Sequence, residues 1–298
     1  MEIPSLEALE ANLRNCLLLK GDDLYFTMRD PEGATLRKSF LGVEVEGLAG
    51  ENLSEDEVSS IDVQRFAITD RVRQLRSMLD DRRLSLCGVD IVEVEEVRNE
   101  ALDFLEHFLS TLPNVALGGV DLTSSRNGEV RRLYELAYAW SNLIETIEDS
   151  FQGETESALA VTDLALMSTL DLRTLRNRCG PGKLIRTSVT RSSRNRNSAS
   201  PALVRLNALD AVDWLLGRKG FRISNIGARW IVSKLVGATP TQATRGLLVA
   251  GIVNVGTLAS LAPRIGCSPE QARTWFDRGD PLPSKVGKAL KSHLCLEV

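Results

Sequence analysis

The chain has 298 residues, 43% of them hydrophobic, and a formal net charge of −4, values that suit a soluble protein of two or three domains with ordinary cores. No apolar run reaches the roughly 20 residues needed to cross a bilayer, and the opening "MEIPSLEALEANL" is acidic where a signal peptide is basic, so a cytoplasmic protein with no membrane partner is expected. Cys16, Cys87, Cys179, Cys267 and Cys295 are scattered without ligand spacing, and His107 and His293 are the only histidines. Free thiols, no metal centre and no cofactor are therefore expected.

The charge is unevenly distributed. Residues 1–150 carry 15 Lys and Arg against 30 Asp and Glu, a net of −15, and residues 151–298 carry 21 against 10, a net of +11. Such asymmetry points to a polyanion-facing C-terminal half on an acidic body, or to a merely solvated basic face. In chain order, "LYFTMRDPEGATLRKSF" reads as a β-hairpin around the turn Asp30-Pro31-Glu32-Gly33. Ser54 and Glu57 make a capping box that opens a helix, along which Ile61, Ile68, Val72, Leu75 and Leu79 recur at helical intervals up to "DDRR" at 80–83. A second helix is predicted over 91–112, and the turn formers of 113–128 separate it from a third. In that third helix Val130, Leu133, Ala137, Trp140, Ile144, Ile147 and Phe151 alternate at intervals of three and four. This is the stripe of a coiled-coil dimer or of a helix packed on its own core.

After "GETE" at 153–156, "LAVTDLALMSTLDLRTLRNRCG" presents a short helix, a tight break and a second short helix. Leu159, Leu164 and Leu170 would hold the pair together and Asp171 would cap the second helix. Arg173, Thr174, Arg176 and Asn177 would then project from it, side chains able to reach base edges and phosphates. Lys183–Val189 and Ala202–Leu206 read as two strands around a long polar loop, followed by a helix capped by Asn207. The acid-free stretch 186–198 carries Arg186, Arg191, Arg194 and Arg196 among Ser, Thr and Asn. Charges so placed repel one another until they meet phosphates or a narrow minor groove.

With "VRLNALDAVDWLLGRKGF" after the wing, residues 158–221 resemble the MerR/excisionase-like winged helix, apart from an unusually long wing. Further on, Thr239-Pro240-Thr241-Gln242 and Ser268-Pro269-Glu270-Gln271 are capping boxes with proline at the first helical position. Residues 239–294, through "TLASLAPRIGCSPEQARTWFDRGDPLPSKVGKAL" with Trp275, Gly279 and Pro283, resemble the lambda-repressor-like (Cro/CI-type) domain. That resemblance implies DNA-facing roles for Ser268, Glu270, Gln271, Arg273 and Thr274, with Lys285 and Lys288 on phosphate. Pro263 departs from the pattern and predicts a kinked scaffold helix, which leaves open a packing role for the domain.

"RNRCGPGKLIRTS" lacks the spacing of a phosphate loop, and Glu95, Glu96, Asp80 and Asp81 sit in runs of surface charge, so no enzyme is expected. The expected fold is mainly α. It comprises an acidic α-rich assembly domain with a small β-hairpin (1–152), a winged helix-turn-helix domain (153–222) and a lambda-repressor-like helical domain (223–298). The expected function is a homodimeric, sequence-specific regulator of transcription on double-stranded DNA, located at the nucleoid. The alternatives are an architectural, partition or excision-type DNA binder, or a protein- or RNA-binding scaffold.

Overall fold

The computed structural model describes residues 2–28, 31–49, 53–80, 91–113, 128–152, 157–190, 203–219, 221 and 226–295. Among them are fourteen α-helices and one two-stranded sheet, so the fold is mainly α. No single described helix is long and apolar enough to cross a membrane. Residue contacts divide the chain into two compact units. One holds 3–80 and 92–137, and the other is built on 138–298. The division falls inside a helix, upstream of the boundary expected after residue 152, and both expected helix-turn-helix modules belong to the second unit.

The first unit begins with α1 (Leu6–Thr27), whose N-terminus is capped by the Ser5 hydroxyl accepting from the Ala8 N–H. It packs against α2 (Glu32–Leu41). The expected β-hairpin is thus a helical hairpin. The apolar residues around Leu24–Met28 form too short a run to separate period 2 from period 3.6, and Pro31-Glu32 suits the first turn of a helix as well as a β-turn. Gly33 is required at the joint, because a Cβ there would lie 2.5 Å from the Tyr25 carbonyl oxygen. A buried ion pair then ties the following loop down: Arg37 Nη2 lies 2.9 Å from Asp22 Oδ1, Arg37 Nη1 donates to the Val45 carbonyl, and the Ala49 N–H donates to Asp22 Oδ2.

The Ser54–Glu57 capping box forms, but the helix it opens, α3 (Glu55–Ser59), lasts little more than one turn. Ser59 and Ser60 turn their hydroxyls back onto the Asp56 and Glu57 carbonyls, and Asp62 caps a separate 3-10 turn at Val63–Arg65. These local bonds compete with helix continuation. The apolar residues read from the sequence then fill one face of α4 (Ala67–Asp80), with Ile68, Val72, Leu75 and Leu79 buried. α5 (Ile91–Ser110) and α6 (Glu129–Gln152) follow close to their predicted limits.

α6 contributes its first turns to the first unit and the rest to the second. Val130, Leu133, Ala137, Trp140, Ile144 and Ile147 are all buried in the single chain, none above 4% exposed; the side chain of Phe151 lies outside the described residues. The stripe is therefore core rather than the seam of a dimer, because a side chain already removed from water offers a partner no further apolar area. Replacing Leu133 with Ala should lower unfolding free energy by about 2–5 kcal/mol, read by urea titration. A variant of unchanged stability that dissociates in sedimentation would restore the stripe to an interface.

Candidate nucleic-acid interface

In the second unit the later turns of α6 form the back of a small module. Asn142 Nδ2 donates to Asp163 Oδ2, the Thr146 hydroxyl bonds that of Ser157, and the Trp140 and Phe221 rings lie 6.0 Å apart. Against this back sit α7 (Val161–Ser168) and α8 (Leu172–Arg176), joined by Thr169 in the left-handed region. Leu159, Leu164 and Leu175 are buried between the elements, and Leu170 is half-buried. Asp171 caps α8 by accepting the Thr174 N–H at 2.8 Å, and its hydrogen bonds from the Thr174 hydroxyl and N–H hold its carboxyl below the usual range.

Arg173, Arg176 and Asn177 are exposed on α8 and at its end, and Thr174 is half-exposed. Arg178 and Lys183, on which the sequence pattern places no special emphasis, join them; Lys183 is exposed and its ammonium donates to the Asn177 carbonyl at 3.2 Å. From Leu172 to Thr190 the chain holds no acidic residue, and the exposed carboxylate of Asp171 stands at the N-terminus of α8.

The strands β1 (Thr187–Thr190) and β2 (Leu203–Leu206) pair antiparallel, Thr187 opposite Leu206 and Thr190 opposite Leu203. The loop between them, with Arg191, Arg194 and Arg196, lies outside the described residues. Beyond β2, Asn207 caps α9 (Ala208–Leu216) by accepting the Asp210 N–H, as the sequence predicts.

Two of the arginines expected on DNA are engaged within the chain itself. The sequence places Arg186 at phosphates or a narrow minor groove, but its Nε donates to Asp210 Oδ2 at 2.6 Å, its backbone N–H reaches the same oxygen at 3.2 Å, and its Nη1 pairs with Asp277. The lambda-repressor-like resemblance implies that Arg273 faces DNA, but its Nε donates to Asp210 Oδ1 at 3.1 Å and its Nη2 lies 3.5 Å from Asp213 Oδ2. The physical reason is Asp210, which is 2% exposed. A buried carboxylate is tolerated only when its charge and lone pairs are matched, and here two guanidiniums and the positive end of α9 supply the match. The partners are up to 91 residues apart in the chain, which is why spacing could not reveal them.

The C-terminal elements are α10 (Ile226–Ser233), α11 (Pro240–Val255), α12 (Leu258–Ile265), α13 (Pro269–Arg278) and α14 (Ser284–His293). Both capping boxes are present, at Thr239–Gln242 and Ser268–Gln271. Pro263 does not break α12. The hydrogen bond it forgoes belongs to the exposed Ala259, and the helix ends two residues later with Gly266 in the left-handed region. α13 is held from behind by α11: Arg245 Nε donates to the Phe276 carbonyl at 2.8 Å, Arg245 Nη2 to that of Asp277, and Thr241 and Thr244 to those of Gly279 and Asp280. Gly279, at φ 69°, has no room for a Cβ, which would lie 2.3 Å from the Thr241 methyl.

Of the remaining candidates on this module, Glu270, Gln271 and Thr274 are exposed, Ser268 is half-exposed as the N-cap, and Lys285 and Lys288 are exposed on α14. Gln271 spends its carbonyl oxygen on the Ser268 N–H at 2.8 Å, and Thr274 spends its hydroxyl proton on the Glu270 carbonyl. Among the described residues no group of His, Cys, Asp and Glu could hold a metal ion.

Asp213 receives the Leu258 N–H at 2.5 Å and so caps α12 from α9. Burial, the largest influence, raises its carboxyl above the usual range against the lowering effect of that bond and of Arg273. A raised carboxyl favours the folded state at low pH and loses that contribution as pH rises through its folded pKa. Asp213→Asn keeps an acceptor for Leu258 without the charge. Its stability relative to the parent should therefore improve as pH rises through the upper carboxylate range, and a difference that stays flat across pH 3–7 in denaturant titrations would contradict this. Asp210→Ala takes from Arg186 and Arg273 the buried acceptor they share but leaves them Asp277 and Asp213, and should lower unfolding free energy by about 1.5–3 kcal/mol in urea titration. No family model, no curated protein and no solved structure matches the chain.

Proposed function

We propose that the chain is a sequence-specific double-stranded DNA-binding protein that regulates transcription, with α8 in the major groove and the Arg-rich wing on the backbone or in the minor groove. The supporting observation is the set of exposed cations Arg173, Arg176, Arg178 and Lys183, within a stretch 172–190 that holds no acidic residue, carried by a capped helix pair before an antiparallel strand pair. Chemistry divides its labour. Arginine forks read guanine edges and an asparagine reads adenine, so Arg176 and Asn177 are the readers, while the wing arginines supply counterion release whatever the sequence. Homodimerisation on an inverted repeat remains part of the proposal only through a surface other than the α6 stripe.

One observation favours the architectural reading. Leu184 is 55% exposed beside Lys183, and an apolar side chain at a DNA surface can wedge between base steps and bend the duplex. Gel mobility of circularly permuted fragments separates the two readings: bending lost in Leu184→Ala supports the architectural role, and unbent complexes support the regulator.

The regulator reading is tested by selecting bound fragments from random duplex DNA. On the selected site Arg176→Ala should cost about 1–3 kcal/mol and relax preference at one position, with far less loss on random DNA. Replacing Arg191, Arg194 and Arg196 with Ala should lower the log-log salt slope by about 0.9 for each phosphate left without its arginine. Recovery of no enriched sequence, or unchanged base preference in Arg176→Ala, refutes sequence-specific reading.

A further inference from the structure

The ionic cluster around Asp210 does more than bury a charge, because it spans the foot of the wing. Arg186 is the residue just before β1 and Asn207 the residue just after β2, and the Asn207 N–H donates to the Arg186 carbonyl at 2.8 Å, closing the ladder at its base. Asp277 of α13 reaches both. It pairs with the Arg186 guanidinium and accepts from Asn207 Nδ2 at 3.2 Å. One turn earlier on the same face of α13, Arg273 grips Asp210 and Asp213 of α9. The helix that the sequence marks as a second recognition helix thus turns its Arg273–Asp277 face onto the first module.

We infer that α13 is the anchor of the wing rather than a second reader of bases, and that Asp277 is a positioning residue for DNA binding. The inference rests on the DNA-binding reading above. Asp277 ties the residue before β1 to the residue after β2, and strands held in place lose less conformational freedom when they are ordered against a duplex. A carboxylate near a cationic DNA-binding face would by charge alone weaken binding. Asp277 works in the opposite sense, because without it Arg186 loses one arm of its fork and the wing base loses its staple.

The opposing signs give the test. Asp277→Asn removes one negative charge, so plain electrostatics predicts tighter binding to the selected duplex. Positioning predicts binding weaker on the order of tenfold, an effect that disappears when Arg191, Arg194 and Arg196 are already Ala. Arg186→Lys, which keeps the charge but cannot span two carboxylates, should behave in the same way and serves where Asp277→Asn fails to fold. Gln271→Ala and Thr274→Ala should leave every base preference unchanged. Binding that is tighter or unchanged in Asp277→Asn, an equal loss in the wing-Ala background, or an altered base preference in Gln271→Ala each overturns the inference while leaving DNA binding intact. A parent protein that binds no duplex refutes the DNA-binding reading itself, and the inference with it.

Discussion

A single carboxylate, Asp210, sets the terms for the second unit. It lies in the first turn of α9 with almost no solvent contact, and it accepts from the Arg186 backbone, the Arg186 guanidinium and the Arg273 guanidinium. Removing a carboxylate from water costs several kcal/mol unless its geometry is filled, so the two arginines are held to it by charge and by hydrogen bonds. One stands at the foot of the wing and the other on α13. Two more carboxylates, Asp213 and Asp277, complete the forks. Because the charges come from the residue before β1, from α9 and from α13, they join the two-stranded sheet to the C-terminal helices within one compact body.

That body explains why two of the most cationic candidates are not free to meet DNA. An arginine in a long basic run is legible as charge, but its partner is not. Arg186 and Asp277 are separated by 91 residues, and only the fold brings them together. Local signals were legible because their physics is local. The caps at Asp171, Asn207, Thr239 and Ser268 each satisfy a backbone N–H within three residues. The misreadings have the same origin. Around Phe26 too few residues were present to distinguish a strand from the end of a helix. Beyond Ser59 the serine hydroxyls stopped a helix whose apolar spacing ran on. The spacing of the α6 stripe marks it as apolar, but spacing alone does not say whether a stripe meets its own chain or a second copy.

The candidate site shows the same division. Exposure of Arg173, Arg176 and Asn177 follows from a short helix capped by Asp171, a cap legible in "LDLRTLRNR", whereas the leucine it draws inward is Leu175 rather than Leu170. Lys183 escaped notice because its place beside Asn177 depends on the turn at Gly180–Gly182, where Gly180 and Gly182 take positive φ. The acidic partners escaped for a different reason, distance along the chain. Asp210 and Asp213 are the only acids among residues 173–222, and isolated acids in a basic segment were the one clue to internal pairing. In the proposed division of labour, α8 and the turn after it present the exposed cations, and α13 holds the foot of β1 and β2 through Asp277.

Amide hydrogen exchange of the full chain, with and without a saturating selected duplex, tests this division most directly. The account predicts slowed exchange across α8 and the strands of the wing on DNA binding, with the first turn of α13 around Gln271 unchanged. Protection of α13 with an unaltered α8 would contradict it and make the C-terminal helices the reading surface.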